Sequence, residues 1–387
     1  MAETLGIYVH IPYCLKKCSY CDFVSFPKDG DLDLSPDEYA YRVCREIEDT
    51  SGDIKDGYTV DTVYFGGGTP SCIGTDMIGR ILLCLKKTFK ISRDAEISIE
   101  INPETVTVEK AENLRFLGFN RVSMGVQSLN DEILSKLGRV HNSEKALEAY
   151  RILRNAGFRN INLDLMFGVP GQTLGIWKDT LEKIIELGPE HISFYSLQIE
   201  EGTPFYEEYR NGDLEIPSWK ENREMYSCAL EMLKSAGYVH YEISNASKPG
   251  FECRHNYKYW TMKPYLGFGT SAHSYIYDKR FFNTGELEYT RVFEESEDEE
   301  QELLDRMGDF VFTELRLIEG IDTVQFRELF GRSFEDVFGK ILVSENMLPY
   351  LEIRRSGSGD IERLALSRKG LDNTNPVMQR FIETLYE

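Results

Sequence analysis

The sequence runs to 387 residues, enough for two or three domains around a large buried core. Its 44 Lys and Arg against 65 Asp and Glu leave a net charge of −21, which excludes a bulk nucleic-acid binder, since that affinity rests on neutralising phosphates. No apolar run approaches the roughly 18 residues of a spanning helix, and residues 1–5 show no basic, apolar leader, so a cytoplasmic protein with at most peripheral membrane contact is expected.

Leu5 to Ile11 reads as a short strand. It delivers a stretch, Tyr8 to Phe23, in which Cys14, Cys18 and Cys21 are spaced C-x3-C-x2-C. Three thiolates this close share one object or repel one another. A structural zinc site uses four protein ligands, and no second Cys pair or His pair at finger spacing lies nearby. A 4Fe–4S cluster is usually held by four Cys; three leave one iron without a protein ligand and open to a small molecule. The other five Cys (Cys44, Cys72, Cys84, Cys228, Cys253) follow no disulfide framework, as in a reducing compartment.

Ser35 to Glu38 forms a capping box with Pro36 at the first helical position, and Tyr39, Val43 and Ile47 then recur at helical spacing. Val60 to Phe65 reads as a buried strand running into Gly66-Gly67-Gly68-Thr69-Pro70. A helix carries Ile78, Ile81, Leu82, Leu85 and Phe89 on one face. A strand over Ala95 to Ile101 ends Glu100-Ile101-Asn102-Pro103. A helix near 107–117 stops at Gly118. Strands over Asn120 to Val126, Asn160 to Phe167 and His191 to Gln198 alternate with helices over Ser143 to Ala156 and 174–187. Six strands alternating with helices predict a parallel sheet and an α/β, TIM-like partial (β/α)6 barrel over 1–204. Gly66 to Thr69, Glu100, Gln127 and Asp164 gather where strands end, which is where ligands sit in such folds. Residues 205–293, rich in Tyr and Phe, read as an added α/β extension. The charge run Glu294 to Glu302 marks a boundary. Residues 294–387 read as helices with a hairpin, Leu348 to Ile353 and Ile361 to Ser367 around a turn at 357–359: a winged-helix-like domain, in acidic surroundings that argue against DNA.

C-x3-C-x2-C with Tyr20 before the last Cys resembles the radical S-adenosylmethionine (SAM) enzymes. The wider string Tyr8-x-His10-Ile11-Pro12-x-Cys14 resembles the branch containing oxygen-independent coproporphyrinogen III oxidases and HemW-type haem chaperones. The resemblance implies a radical SAM barrel whose open iron binds SAM, the reduced cluster passing an electron to the sulfonium to yield a 5′-deoxyadenosyl radical. It implies Tyr8, Gly67 and Glu100 beside that SAM, and Tyr20, Gly68, Thr69, Gln127, Arg139 and Asp164 at the place of a second one in the oxidases. Each polar residue taken alone serves a structural role equally well, and the joint match carries the expectation.

Two departures separate the branches. Where the oxidases carry a further Cys after the third, this chain has Phe23, and Cys14 lies closer to the start than in the oxidases. The string His255-Asn256-Tyr257-Lys258-Tyr259-Trp260, read alone, is a packed aromatic loop. It also resembles the H-N-x-x-Y-W haem-binding motif of the chaperones, which implies His255, Asn256, Tyr259 and Trp260 as haem contacts, with Cys253 as an alternative iron ligand. His10, His141, His191, His240 and His273 read as structural. The expected function is a haem chaperone holding a 4Fe–4S cluster and SAM and passing haem to apo-proteins of respiration, with no residue assigned to catalysis. The alternatives are oxidative decarboxylation of coproporphyrinogen III and a purely structural cluster.

Overall fold

Along the first strand, Leu5, Ile7, Val9 and Ile11 are all buried, and the residues between them include Tyr8 and His10. The same alternation recurs in each neighbour: Ile97, Ile99 and Ile101 against Ser98 and Glu100, Val122, Met124 and Val126 against Arg121 and Ser123, and Leu163 and Leu165 against Asn162 and Asp164. Side chains alternate faces along a strand. One face of the sheet is therefore apolar and packs under helices, and the other is lined by polar groups that bond across strands. That division places a polar site inside an otherwise apolar fold.

The computed structural model describes residues 3–30, 32, 34–50, 52, 54, 57–294 and 298–387. The chain divides into two compact units: 1–239, 246–255 and 264–293 in the first, and 240–245, 256–263 and 294–387 in the second. The first is an α/β partial barrel. Its elements are β1 (Glu3–Ile11), α1 (Pro36–Thr50), β2 (Tyr58–Gly67), α2 (Thr75–Thr88), β3 (Ile91–Ile101), α3 (Val108–Leu117), β4 (Arg121–Gln127), α4 (Asp131–Lys136), α5 (Ser143–Asn155), β5 (Ile161–Phe167), α6 (Leu174–Leu187) and β6 (His191–Ser196). After α7 (Pro204–Asn211) and α8 (Trp219–Ser235), four strands extend the sheet on its β1 side: β7 (Tyr265–Phe268), β8 (His273–Ile276), β9 (Lys279–Asn283) and β10 (Arg291–Phe293). From β10 to β6 the strand order is β10-β9-β8-β7-β1-β2-β3-β4-β5-β6. β7 joins β1 in parallel, Gly6 opposite Tyr265, so the strand that delivers the cysteines has a partner on each side.

The second unit carries α9 (Glu299–Glu314), β11 (Ile321–Asp322), α10 (Thr323–Phe330), α11 (Phe334–Leu342), β12 (Leu351–Arg355), β13 (Ile361–Leu366) and α12 (Thr374–Thr384). The three strands pair in the order β11-β13-β12, giving the winged-helix arrangement. Phe310, Phe326, Phe330, Phe334, Phe338 and Phe381 form its core, with ring centroids 4.7–6.4 Å apart. Glu335 and Asp336 occupy the first turn of α11, the helix a DNA-binding winged helix would place against phosphates. No helix among the described residues is long and apolar enough to cross a membrane.

Candidate functional site

At the end of β1 the chain forms a two-residue strand, Tyr13–Cys14, paired in parallel with Phe26–Pro27. The Phe26 N–H donates to the Pro12 carbonyl at 2.7 Å and the Lys28 N–H to the Cys14 carbonyl at 2.8 Å. These bonds close the base of the cysteine loop. Its far side is held by Ser19, whose N–H donates to the Leu137 carbonyl at 3.2 Å and whose carbonyl accepts from the Phe205 N–H at 3.0 Å. Gly138 lies against this contact at φ +75°, where a Cβ would come within 3.0 Å of the Ser19 hydroxyl.

The glycine run at the end of β2 makes room for the cysteine-bearing segment itself. The Gly68 N–H donates to the Ile11 carbonyl at 3.0 Å, and the Thr69 N–H to the Tyr13 carbonyl at 2.7 Å. A Cβ on Gly68 would lie 2.8 Å from the Tyr13 carbonyl oxygen and 3.1 Å from the Cys14 sulfur, and one on Gly67, at φ +109°, 2.6 Å from the His10 ring. Absence of a side chain here permits close backbone approach, and the partner it admits is the loop.

Two of the three cysteines are joined by a polar arc. Cys14 Sγ lies 3.5 Å from Thr69 Oγ1, which accepts from Asn102 Nδ2 at 2.9 Å. Asn102 Oδ1 accepts from Arg139 Nη2 at 2.7 Å, and Arg139 Nη1 donates to Cys18 Sγ at 3.5 Å. Arg139 also donates to the Gly125 carbonyl at 2.8 Å. Asn102 was not singled out by sequence reasoning; the signal was its place directly after Glu100-Ile101, before Pro103.

Deeper in the barrel, Glu100 accepts from the Tyr64 hydroxyl at 2.9 Å and the Gly67 N–H at 3.2 Å. Burial first, and then the neighbouring Asp164 charge, push its carboxyl up to about 7. Asp164 accepts from Asn162 Nδ2 at 2.7 Å and from the Ser123 hydroxyl at 3.1 Å, and burial raises it too. Burial lowers His10 to about 4, so it is neutral: Nε2 donates to the Val24 carbonyl at 2.9 Å and Nδ1 accepts from the Tyr8 hydroxyl at 3.1 Å. Gln127 adopts φ +66° at a register shift in β4, and its Oε1 accepts from the Tyr195 hydroxyl at 2.9 Å.

Glu100 makes stability pH-dependent. The folded chain holds its proton up to about pH 7, against 4.5 as the ordinary value. Between those limits the native state binds the extra proton, so stability falls as pH rises through the window, by roughly 3 kcal/mol. Glu314 in the second unit is likewise raised to about 7, so the comparison that isolates Glu100 is urea unfolding of Glu100→Gln beside wild type at pH 5 and pH 8. The variant is expected to show the shallower pH dependence; identical dependence in the two proteins would mean that Glu100 is already ionised at pH 5.

His255 has no exposed surface. Its Nδ1 lies 2.8 Å from the Thr62 hydroxyl and its ring stacks on Tyr64 at 5.2 Å. The His255 and Arg254 N–H groups each donate to the Glu96 carboxylate at 3.2 Å, and the buried Cys253 thiol donates to it at 3.7 Å. In the second unit, Asn256, Tyr259 and Trp260 are partly exposed, and the Arg316 guanidinium stacks over the Trp260 ring at 4.5 Å. Other histidines are tied into the framework, His141 between Glu104 and the Val126 carbonyl, and His191 on Asn162.

The residues present fit a polynuclear cluster. Burial, and then repulsion from the neighbouring Cys18 sulfur, raise Cys14 and hold Cys21 at about 11, so Cys14 and Cys21 are thiols until a metal displaces their protons. No three His, Cys, Asp or Glu side chains among the described residues gather around one point as a single metal ion requires. Three sulfurs spread around one loop suit a cluster in which each ligates its own iron.

A partial barrel with a C-x3-C-x2-C loop at the carboxyl ends of its strands defines a radical SAM protein, and residues 8–184 match the sequence profile of the Radical SAM superfamily. Within it the chain belongs to the HemW family. It is 34% identical over 344 residues to the haem chaperone HemW of Bacillus subtilis, covering 87% of this chain and 89% of that protein. It is 32% identical over 382 residues to the Lactococcus lactis HemW, covering 97% and 96%, and 34% identical to that of Escherichia coli, covering 83% and 85%. The fold is shared with the coproporphyrinogen III oxidase HemN of Escherichia coli, TM-score 0.81 at 24% identity over 98% of this chain and 90% of the other.

Proposed function

We propose that the protein is a cytoplasmic haem chaperone that holds a 4Fe–4S cluster on Cys14, Cys18 and Cys21, binds SAM at the barrel mouth, and carries haem to apo-proteins, those of respiration among them. The observation that carries this reading is the extent of the likeness: a relative named as a haem chaperone aligns over 97% of this chain and 96% of its own length. Position 23 supports it. The oxidase pattern calls for a Cys there, and this chain presents an exposed Phe.

The cluster, when bound, supplies an electron for SAM cleavage. The chain's own part is to bind and orient. Glu100, with its carboxyl near 7, is suited to accept an N–H from an amino group, and Tyr8 and the Gly67 backbone border the same space. Tyr20, Gly68, Thr69, Gln127, Arg139 and Asp164 form the second group. For haem, this reading takes His255, Asn256, Tyr259 and Trp260. His255 has no exposed surface, so coordination there requires the packing around its ring to open, while Nδ1 can keep Thr62 as the orienting partner.

The test is the visible spectrum of the anaerobic protein titrated with haem, beside an assay with coproporphyrinogen III, reductant and SAM. A shifted Soret band and no protoporphyrinogen IX are expected; robust decarboxylation would overturn the chaperone reading. His255→Ala is expected to weaken haem uptake while the cluster spectrum persists. Equal uptake without His255 would leave it a packing role alone, with Cys253 the next ligand to vary.

A further inference from the structure

We infer that the cavity between α1 and the outer strands β9 and β10 binds a phosphate monoester, its dianionic head held by Arg42 and Arg45. The cavity measures about 440 Å³, within the range of small-molecule sites. It shares no residue with the cysteine loop, the strand ends taken for SAM or the His255 string, and so stands apart from the haem-carrying reading. Among the described residues, the charged groups that line it are Arg42, Arg45, Glu46, Asp49 and Arg291.

Glu46 builds the wall of this cavity. Its carboxylate accepts from the Gly269 N–H at 2.9 Å, Asn283 Nδ2 at 2.8 Å, the Tyr289 hydroxyl at 2.7 Å and Arg291 Nη2 at 2.8 Å. Four donors saturate a carboxylate, and Arg291 balances its charge. The buried Tyr289, fixed in this way, offers its carbonyl to Arg42 Nη2 and its ring face to the same guanidinium, 4.7 Å from the centroid. Arg42 is thereby held in place, and among the described residues neither it nor Arg45 has an ion-pair partner. Arg45 is exposed and three residues further along α1, a spacing that makes the two side chains neighbours on the helix surface. Two unneutralised guanidiniums on one wall match a compact dianion. A phosphate monoester is largely dianionic at pH 7, and the guanidinium fork fits its oxygens. The exposed Tyr41 ring, on the same lining, gives the organic part a surface to lie on. Asp49, an exposed carboxylate at the end of α1, works against an anion here, and its removal is therefore diagnostic.

The test titrates the full chain by calorimetry, at fixed ionic strength and pH 7.5, with phenyl phosphate, phenyl sulfate, inorganic phosphate and phenol. Phenyl phosphate is expected to bind, the monoanionic sulfate and inorganic phosphate each about tenfold more weakly, and phenol not at all. Arg45→Ala is expected to lower phenyl phosphate affinity about tenfold, the scale of one charge-assisted contact. Its side chain is exposed and without an ion-pair partner, so the fold is expected to survive the change. Asp49→Asn is expected to raise the affinity about threefold by removing a nearby like charge, an effect that a merely structural role would not produce. Wild-type affinity in Arg45→Ala, or no binding of phenyl phosphate to the wild type, would overturn the site. Phenol bound as tightly as phenyl phosphate would overturn anion recognition, and inorganic phosphate bound as tightly would overturn the monoester.

Discussion

Replacing Cys14, Cys18 or Cys21 by Ala is expected to abolish the broad visible absorption of the 4Fe–4S centre in each case, because in the proposed site each sulfur would ligate a separate iron and two thiols would not hold the cluster in place. The controls are the buried cysteines elsewhere. Cys44 and Cys84 lie on α1 and α2 with their sulfur chemistry turned on each other, the Cys84 thiol donating to the Cys44 carbonyl at 3.5 Å. Cys72 is the sharper control. It lies beside the loop, but its thiol donates to the Tyr13 carbonyl at 3.2 Å and burial pushes it up to about 12, so it stays protonated. Cys44→Ala, Cys72→Ala and Cys84→Ala are all expected to keep the cluster, at a packing cost of about 1 kcal/mol. A complete cluster spectrum in Cys18→Ala would refute the ligand assignment.

Arg139→Leu is expected to have the second largest effect, on stability and on cluster retention together. The guanidinium serves Asn102, Gly125 and Cys18 at once. Its removal leaves the Gly125 carbonyl and the Asn102 amide oxygen short of a donor, and a buried acceptor left unpaired costs about 1–3 kcal/mol. A loss of roughly 3 kcal/mol in urea unfolding is expected, with faster loss of the cluster under a chelator, since Cys18 loses its neighbouring cation. Arg139→Lys is expected to rescue little, because one ammonium cannot reproduce the planar fork that reaches three partners. Unfolding within about 0.5 kcal/mol of wild type, the range of ordinary surface changes, would mean that the arc through Asn102 bears no weight.

Much of the barrel was legible because apolar runs and glycines bound its elements. The helix predicted over 174–187 is α6, ended by Gly188 in the left-handed region, and Gly118 ends α3 in the same way. The Ser35–Glu38 capping box is present, the Ser35 N–H donating to the Glu38 carboxylate at 3.0 Å. The strand ends moved by a few residues: β3 begins at Ile91 rather than Ala95, because hydrogen bonding continues past the apolar stretch. The extension was legible only as an aromatic composition. Tyr265–Phe268 is too short to announce a strand, and its partner β1 lies at the other end of the chain. α4, six residues long and capped by Asn130, left no periodicity to read.

The site was legible as a set of residues and not as a wiring. Nothing local tells that Gly68 faces Cys14, or that Asn102 joins Thr69 to Arg139, since these contacts cross several strands. His255 shows the limit most clearly. An imidazole among aromatic residues is what a haem pocket and a barrel plug share, and the sequence does not say which face turns inward. The fold buries it under Tyr64 with Thr62 as partner.

The parallel pairing of β1 with β7 also bears on biosynthesis. β1 and the three thiols that follow it are made more than two hundred residues before Tyr265–Phe268, the second neighbour of β1. At typical elongation rates of about 5–20 residues per second, the nascent loop waits on the order of tens of seconds before its supporting strand is framed on both sides. Any iron–sulfur donor that acted on the emerging chain would meet three uncommitted thiols on an unfinished sheet. Under the proposed ligand assignment, a cluster donor meets β1 with a strand on both sides only once residue 268 has been made.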